Sequence, residues 1–238
     1  MTPTLRQATK EPGERAPRLP AGQLSINEVY YTIQGECGWM GTPTVFVRTS
    51  HCSLRCVWCD SKYTFQEGDP WTLDEVVKRV ADFPTKHVCL TGGEPLNQAE
   101  SFRLVERLAR ADYTVEVETS GSEDIQPFNR LPADLRALVT VNLDIKCPGS
   151  AMTNFNRWSN LGELRPHDQL KFVLADRADY DYAKDVLARH RIPCHAWLHP
   201  VWGKLEPRKI ADWVKADGLP VRVGVQLHKY IWGDVRGV

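Results

Sequence analysis

The stretch His51-Cys52-Ser53-Leu54-Arg55-Cys56-Val57-Trp58-Cys59-Asp60 places three of the chain's seven cysteines within eight residues, spaced C-x3-C-x2-C. An odd number of neighbouring thiols leaves one over in any disulfide framework, so the segment reads as ligands for a soft metal centre. A [4Fe–4S] cluster held through three of its four irons accounts for the count and leaves one iron open for a further ligand. A zinc-stabilised, non-catalytic binding module is the competing reading. It wants a fourth Cys or His nearby, commonly in a second C-x2-C pair. The local candidate, His51, is adjacent to Cys52 and awkwardly placed to close the same tetrahedron, while Cys37, Cys89, Cys147 and Cys194 stand singly.

Working outward, Thr44–Thr49 is a buried strand leading straight into the cysteine loop, and Leu24–Ile33 before it alternates like a strand and ends in the polar turn Gln34-Gly35-Glu36-Cys37-Gly38. Beyond the loop, Thr72-Leu73-Asp74-Glu75 is a capping box opening a helix with Val76, Val77 and Val80 on its apolar side. Short apolar runs then alternate with helical patterns: strands at His87–Thr91, Tyr113–Glu118, Val139–Ile145, Lys171–Leu174, Cys194–Leu198 and Val221–Gln226, with helices through Phe102–Leu108, Ala178–Arg189 and Pro207–Lys215. That alternation predicts an α/β fold on a mainly parallel sheet. Chemistry in such folds gathers at the carboxyl ends of the strands. The polar and glycine-rich runs fall there, after Thr49, Thr91, Glu118, Ile145, Leu198 and Gln226.

A chain of 238 residues with 42% hydrophobic and 25% charged residues can bury one full α/β core. Thirty basic and thirty acidic residues cancel, so no global field draws the molecule to nucleic acid or to a membrane. There is no apolar run of spanning length and no apolar signal core, which makes the cytoplasm the expected compartment, where thiols stay reduced. Residues 1–22 carry Pro3, Pro12, Pro17 and Pro20 among charged residues, so a disordered tail is expected there and a single catalytic domain over 23–238.

Cys52-x3-Cys56-x2-Cys59 after a β-strand resembles the signature of radical S-adenosylmethionine enzymes, and Gly92-Gly93-Glu94-Pro95 is similar to that superfamily's GGE motif. The resemblance implies a modified, partial (β/α) barrel of about six mainly parallel strands with few helices. It also implies that S-adenosylmethionine sits on the open iron and is cleaved there to a 5′-deoxyadenosyl radical. The electron would come from a donor such as flavodoxin or ferredoxin. On the same footing, Gly93 and Glu94 would receive the methionine ammonium, Trp58 would lie near the adenine, and Ser120, Asp144, Lys146, His199 and Val201 would complete the cofactor site.

Four segments carry a narrower resemblance, to the 7-carboxy-7-deazaguanine synthase family. They are Tyr31–Glu36 with Gly41–Arg48, Cys59-Asp60-Ser61-Lys62-Tyr63, Asp144-Ile145-Lys146-Cys147-Pro148 and Gln226-Leu227-His228-Lys229-Tyr230. This resemblance implies a homodimeric lyase that converts 6-carboxy-5,6,7,8-tetrahydropterin to 7-carboxy-7-deazaguanine with loss of ammonia, on the route to queuosine. Mg2+ would be held by Ser61. A pterin presents an amide edge and a 2-amino group, which Gln34 and the backbone of Ile33 and Gly35 can match, and its carboxylate suits the fork of Arg48. Thr91 and His228 complete the expected substrate contacts, with Glu36 beside them. Taken singly, Glu36 reads as a turn residue and His228 as a capped core histidine. Two departures stand out: the chain runs on from Ile231 to Val238, which puts a role for the end of the chain in doubt, and Cys37 stands where glycine is usual. A glycyl-radical activase shares the cysteine spacing, but it would need a protein-docking surface in place of the Gln34–Arg48 segment and the HKY terminus.

Overall fold

The computed structural model describes residues 16 and 18–238, so the tail expected over 1–22 lies largely outside them. Runs rich in β-branched residues become strands: β1 (Gln23–Ile33), β2 (Pro43–Thr49), β3 (Asp69–Thr72), β4 (His87–Gly92), β5 (Thr114–Thr119), β6 (Val139–Ile145), β7 (Gln169–Leu174), β8 (His195–Pro200) and the two-residue β9 (Arg222–Val223). They join one sheet in the order β3-β1-β2-β4-β5-β6-β7-β8-β9. β1 pairs antiparallel with β2 and β3, and every pair from β2 to β9 is parallel. The sheet is open between β3 and β9, an incomplete barrel with six full parallel strands at its centre.

Parallel pairing aligns like ends. Thr49 lies opposite Gly92, Thr119 opposite Leu143, Ile145 opposite Phe172 and Leu174 opposite Pro200, so the carboxyl ends of β2 through β8 share one rim. All seven residues of β6 are buried, as expected of a central parallel strand covered on both faces. The helices are α1 (Leu73–Ala81), α2 (Glu100–Arg110), α3 (Gln126–Asn129), α4 (Ala133–Ala137), α5 (Arg177–Arg189), α6 (Pro207–Asp217) and α7 (Leu227–Trp232). Leu73, Val76 and Val80 of α1, Leu104, Val105 and Leu108 of α2, Tyr180 and Ala183 of α5 and Ile210 of α6 enter the common core. The capping box forms as the sequence indicates: Thr72 Oγ1 accepts from the Glu75 N–H at 3.2 Å, and Glu75 Oε2 accepts from the Thr72 N–H at 2.7 Å.

Two elements differ from expectation. The last strand shrinks from Val221–Gln226 to Arg222–Val223. Gly224 still donates to the Leu198 carbonyl at 2.9 Å, but a Cβ there would run into the His199 ring, and Gln226 turns away to bond Glu36 at 2.9 Å. The edge strand β3 was not foreseen, because Asp69-Pro70-Trp71-Thr72 has no alternation and owes its form to pairing with Gln23–Ile26.

Leu143 is fully buried in β6. Leu143→Ala should destabilise the chain by about 2–5 kcal/mol in urea unfolding; a loss below about 1 kcal/mol would contradict its placement.

Candidate active site

A cavity of about 760 Å3 opens at the carboxyl rim of the sheet. Its geometry starts with two glycines. A Cβ on Gly92 (φ 142°) would run into the Thr49 carbonyl, and one on Gly93 into the His51 carbonyl. The turn after β4 therefore lies directly against the start of the cysteine loop, where Gly93 N–H donates to Thr49 O at 3.0 Å and Glu94 N–H to His51 O at 2.8 Å. His51 itself takes a left-handed conformation (φ 70°) and donates to Thr64 O at 2.8 Å.

From there the loop is pinned on its far side. Val57 N–H donates to Ser150 O at 3.2 Å, the Arg55 N–H meets Met152 Sδ at 3.3 Å, and the Arg55 guanidinium bonds the Cys52 and Leu54 carbonyls and lies 4.2 Å over the Phe65 ring. Cys52, Cys56 and Cys59 are free, half-buried thiols that all line the cavity, while Val57 at the loop's tip is 60% exposed. Burial and nearby Glu94 push Cys52 up to about 12, and burial raises Cys56, so a metal must displace their protons. Sulfurs around one tetrahedral zinc sit roughly 4 Å apart. Among the described residues, the trio with ligand atoms within 4.8 Å of one another is Cys89, Glu116 and Glu118 rather than the three loop cysteines. Three thiols on one rim suit a [4Fe–4S] cluster held through three of its four irons.

At the β1–β5 end of the cavity, Arg48 donates through Nε to Glu28 Oε1 at 2.8 Å and through Nη2 to the Tyr30 hydroxyl at 2.7 Å, leaving Nη1 for a ligand. Burial would lower its pKa, but Tyr30, Tyr63 and Glu28 hold it well above the usual range. The Gln34 amide is almost wholly committed: Nε2 donates to Glu116 Oε2 at 2.6 Å and Glu118 Oε1 at 3.1 Å, and Oε1 accepts from the Glu36 N–H at 3.2 Å. Thr91 Oγ1 donates to Glu118 Oε2 at 2.9 Å. Desolvation, reinforced by Glu118, pushes Glu116 up to about 8, so this residue keeps its proton at neutral pH.

Across the cavity, Lys146 Nζ pairs with Asp144 Oδ2 at 2.8 Å and Lys171 Nζ with Glu36 Oε2 at 2.8 Å. Burial would raise Glu36, yet Lys171 and His199 hold it well below the usual carboxylate range. Asp144 and His199 line the cavity, and their Oδ1 and Nδ1 atoms are buried without a partner among the described residues. On a cavity wall, atoms of this kind are able to bond a ligand. With three thiols, a glycine turn and these two acceptor-capable atoms on one cavity, the residues present fit a cluster and a nucleoside-bearing cofactor.

The expected site residues are brought together with two exceptions. Glu94 is fully buried and does not line the cavity; its carboxylate is consumed by the N–H groups of Ser120 (2.6 Å) and Leu96 (2.9 Å) and the Thr119 hydroxyl (2.9 Å). In this arrangement the carboxylate braces Ser120 at the end of β5. Gly35 also stays off the wall, because a Cβ there would collide with the His228 ring that lines the cavity in its place. Ile33, Gln34, Glu36, Arg48, Trp58, Ser61, Thr91, Gly93, Ser120, Asp144, Lys146, His199, Val201 and His228 all line it. Sequence reasoning missed Lys171, Glu116 and Glu118; the polar residues on otherwise apolar strands were the available signal. Despite the extension past Tyr230, the end of the chain folds back. Arg236 bonds Glu28 (3.0 Å), Glu67 (2.9 Å) and Asn27 (2.9 Å), and Val238 lines the cavity.

This fold and this three-thiol rim define a radical S-adenosylmethionine protein, and the model of the Radical SAM superfamily matches residues 46–159. The crystal structure of QueE from Escherichia coli has the same fold, with a TM-score of 0.71 at 21% identity over 87% of this chain and 95% of that one. The chain belongs to the 7-carboxy-7-deazaguanine synthase family. It is 38% identical to the 7-carboxy-7-deazaguanine synthase of Koribacter versatilis over 90% of this chain and 100% of that protein, and 40% identical to that of Chlorobaculum tepidum over 90% and 97%.

The raised Glu116 gives a signed prediction. The unfolded chain loses this proton near pH ~4.3, the folded one only near 8. Between those values the folded state binds more protons, so this group's contribution to stability falls as pH rises. Glu116→Gln should remove that slope and gain stability relative to the parent between about pH 5 and about pH 8 in urea unfolding. Parallel changes in the two proteins would contradict the assignment.

Proposed function

We propose that this cavity converts 6-carboxy-5,6,7,8-tetrahydropterin to 7-carboxy-7-deazaguanine with loss of ammonia, a step toward queuosine and related 7-deazapurines. The observation that carries the reading is that the thiols of Cys52, Cys56 and Cys59 open onto the same cavity as Arg48, Thr91 and Glu118. A reducible cluster and a pterin-sized polar wall thus face one space. Bound together there, the [4Fe–4S] cluster and S-adenosylmethionine supply a carbon radical able to remove a hydrogen atom from substrate.

The chain's own residues bind and orient. Arg48, held protonated and steadied by Glu28 and Tyr30, presents Nη1 to the substrate carboxylate. Glu118 accepts from the pterin's 2-amino and amide N–H edge, and the Gln34 amide holds that carboxylate in place. The backbone of Ile33 and the ring of His228 close the pterin's other flank. Gly93, Ser120, Asp144, Lys146, His199 and Val201 surround the cofactor, with Trp58 packed against Gly149 and Lys204 above its ring at 5.6 Å. Ser61, its Oγ 3.8 Å from Cys59 Sγ, faces the cavity as a hard oxygen for Mg2+ completed by substrate and water.

Residues 23–238 act as one catalytic domain, a reading supported by the single continuous sheet. A homodimer and a flavodoxin- or ferredoxin-type donor are the proposed partners, and the exposed Tyr230, Ile231, Trp232 and Val235 give a second copy an apolar surface to cover. Seven free cysteines suit a cytoplasmic setting, and among the described residues no helix is long and apolar enough to cross a membrane.

Anaerobic turnover with the carboxytetrahydropterin, S-adenosylmethionine, reductant and Mg2+ tests the reading: a deazapurine product is expected, and its absence from a cluster-replete chain would overturn it. Arg48→Ala should raise KM for the pterin about 10- to 100-fold, the worth of a charge-assisted hydrogen bond. Ser61→Ala should lose Mg2+ stimulation; a parent-like Mg2+ response would remove Ser61 as the ligand.

A further inference from the structure

Cys37 serves none of the roles assigned so far, yet it is held with unusual care. It is 1% exposed and takes a left-handed backbone conformation, φ 54°, that glycine would adopt without strain. Its Sγ lies 3.6 Å from Asn142 Oδ1 on β6 and 3.5 Å from His199 Nε2 on β8. His199 is 1% exposed, lines the cavity, and leaves Nδ1 without a partner among the described residues.

One thiol carries one proton. Asn142 Oδ1 can only accept; with the S–H directed there, the sulfur's lone pairs are left to face Nε2. In that arrangement Nε2 holds the imidazole's proton and Nδ1 is a bare acceptor. The ring stays neutral for this purpose: burial pushes His199 down to about 4, with Lys171 adding to the effect and Glu36 and Asp144 opposing it. Gly224 leaves just enough room behind the ring, since a Cβ there would overlap it.

We propose that Cys37 is a positioning residue that fixes His199 as the Nε2–H tautomer, so that Nδ1 accepts a hydrogen bond from a donor on the nucleoside of S-adenosylmethionine, a ribose hydroxyl or the adenine amino group. The inference rests on the reading of His199 as part of the cofactor site. It makes the thiol neither a cluster ligand nor a nucleophile, in keeping with burial raising Cys37 well above the usual thiol range.

The test is nitrogen NMR on the full-length, cluster-loaded chain labelled at histidine, without cofactor, with the His199 resonances assigned by their loss in His199→Gln. A neutral ring protonated at Nε2 is expected. Cys37→Gly, which suits the local backbone, should mix the tautomers and weaken S-adenosylmethionine binding in equilibrium dialysis about three- to ten-fold, the worth of one hydrogen bond. Cys37→Ser, whose hydroxyl can bridge the same two partners, should restore both. A proton on Nδ1 in a parent that binds cofactor would overturn this inference alone, as would a Cys37→Gly chain with unchanged tautomer and affinity. An Nε2–H parent that binds no S-adenosylmethionine would overturn the functional reading and the acceptor role with it.

Discussion

The close approach of Gly92 and Gly93 to the backbone of Thr49 and His51 is the constraint on which the rest of the site depends. Two N–H···O bonds tie the turn after β4 to the first residues of the cysteine loop, and no side chain fits between them. The parallel register of β2 and β4, which sets Thr49 beside Gly92, delivers the two segments to that meeting point. Glu94 then reaches the other way and fastens Ser120 at the end of β5. Three consecutive strand ends are thus locked before any cofactor arrives, which is the pre-organisation that a radical intermediate requires of its surroundings.

Charge is concentrated in this cavity although the chain as a whole is neutral. Isolated charges would be costly to bury, and the structure avoids that by pairing them: Arg48 with Glu28, Lys146 with Asp144, Lys171 with Glu36. Such pairs add little net stability once desolvation is counted. Their effect is to hold side chains in place and to leave chosen atoms free, as with Arg48 Nη1 and Asp144 Oδ1. Glu116 is the exception, since it avoids the cost of burial by keeping its proton.

How much of this was legible in the sequence follows from whether the signal was local. The cysteine spacing, the GGE turn, the capping box at Thr72 and the short apolar strand runs are all written within a few residues, and apart from the last strand they were found close to where they were read. Lys171 and Glu116 were not singled out, because a lone polar residue in an apolar strand becomes meaningful only once Glu36 arrives 135 positions away in sequence and Gln34 82 positions away. The bracing role of Glu94 was not read, because its motif is local while Thr119 and Ser120, two of its three donors, lie some 25 positions further on. Gly224, just past the shortened β9, lies against the His199 ring, a neighbour that no window around it contains.

Cys52, Cys56 and Cys59 would hold the [4Fe–4S] cluster on the cavity wall, where S-adenosylmethionine would meet it. Electron paramagnetic resonance of the reduced, anaerobically reconstituted chain, recorded with and without S-adenosylmethionine, addresses it directly. A [4Fe–4S] signal that changes when the cofactor is added and that disappears in Cys56→Ala is expected. A colourless chain after reconstitution, or a cluster signal indifferent to the cofactor, would contradict it.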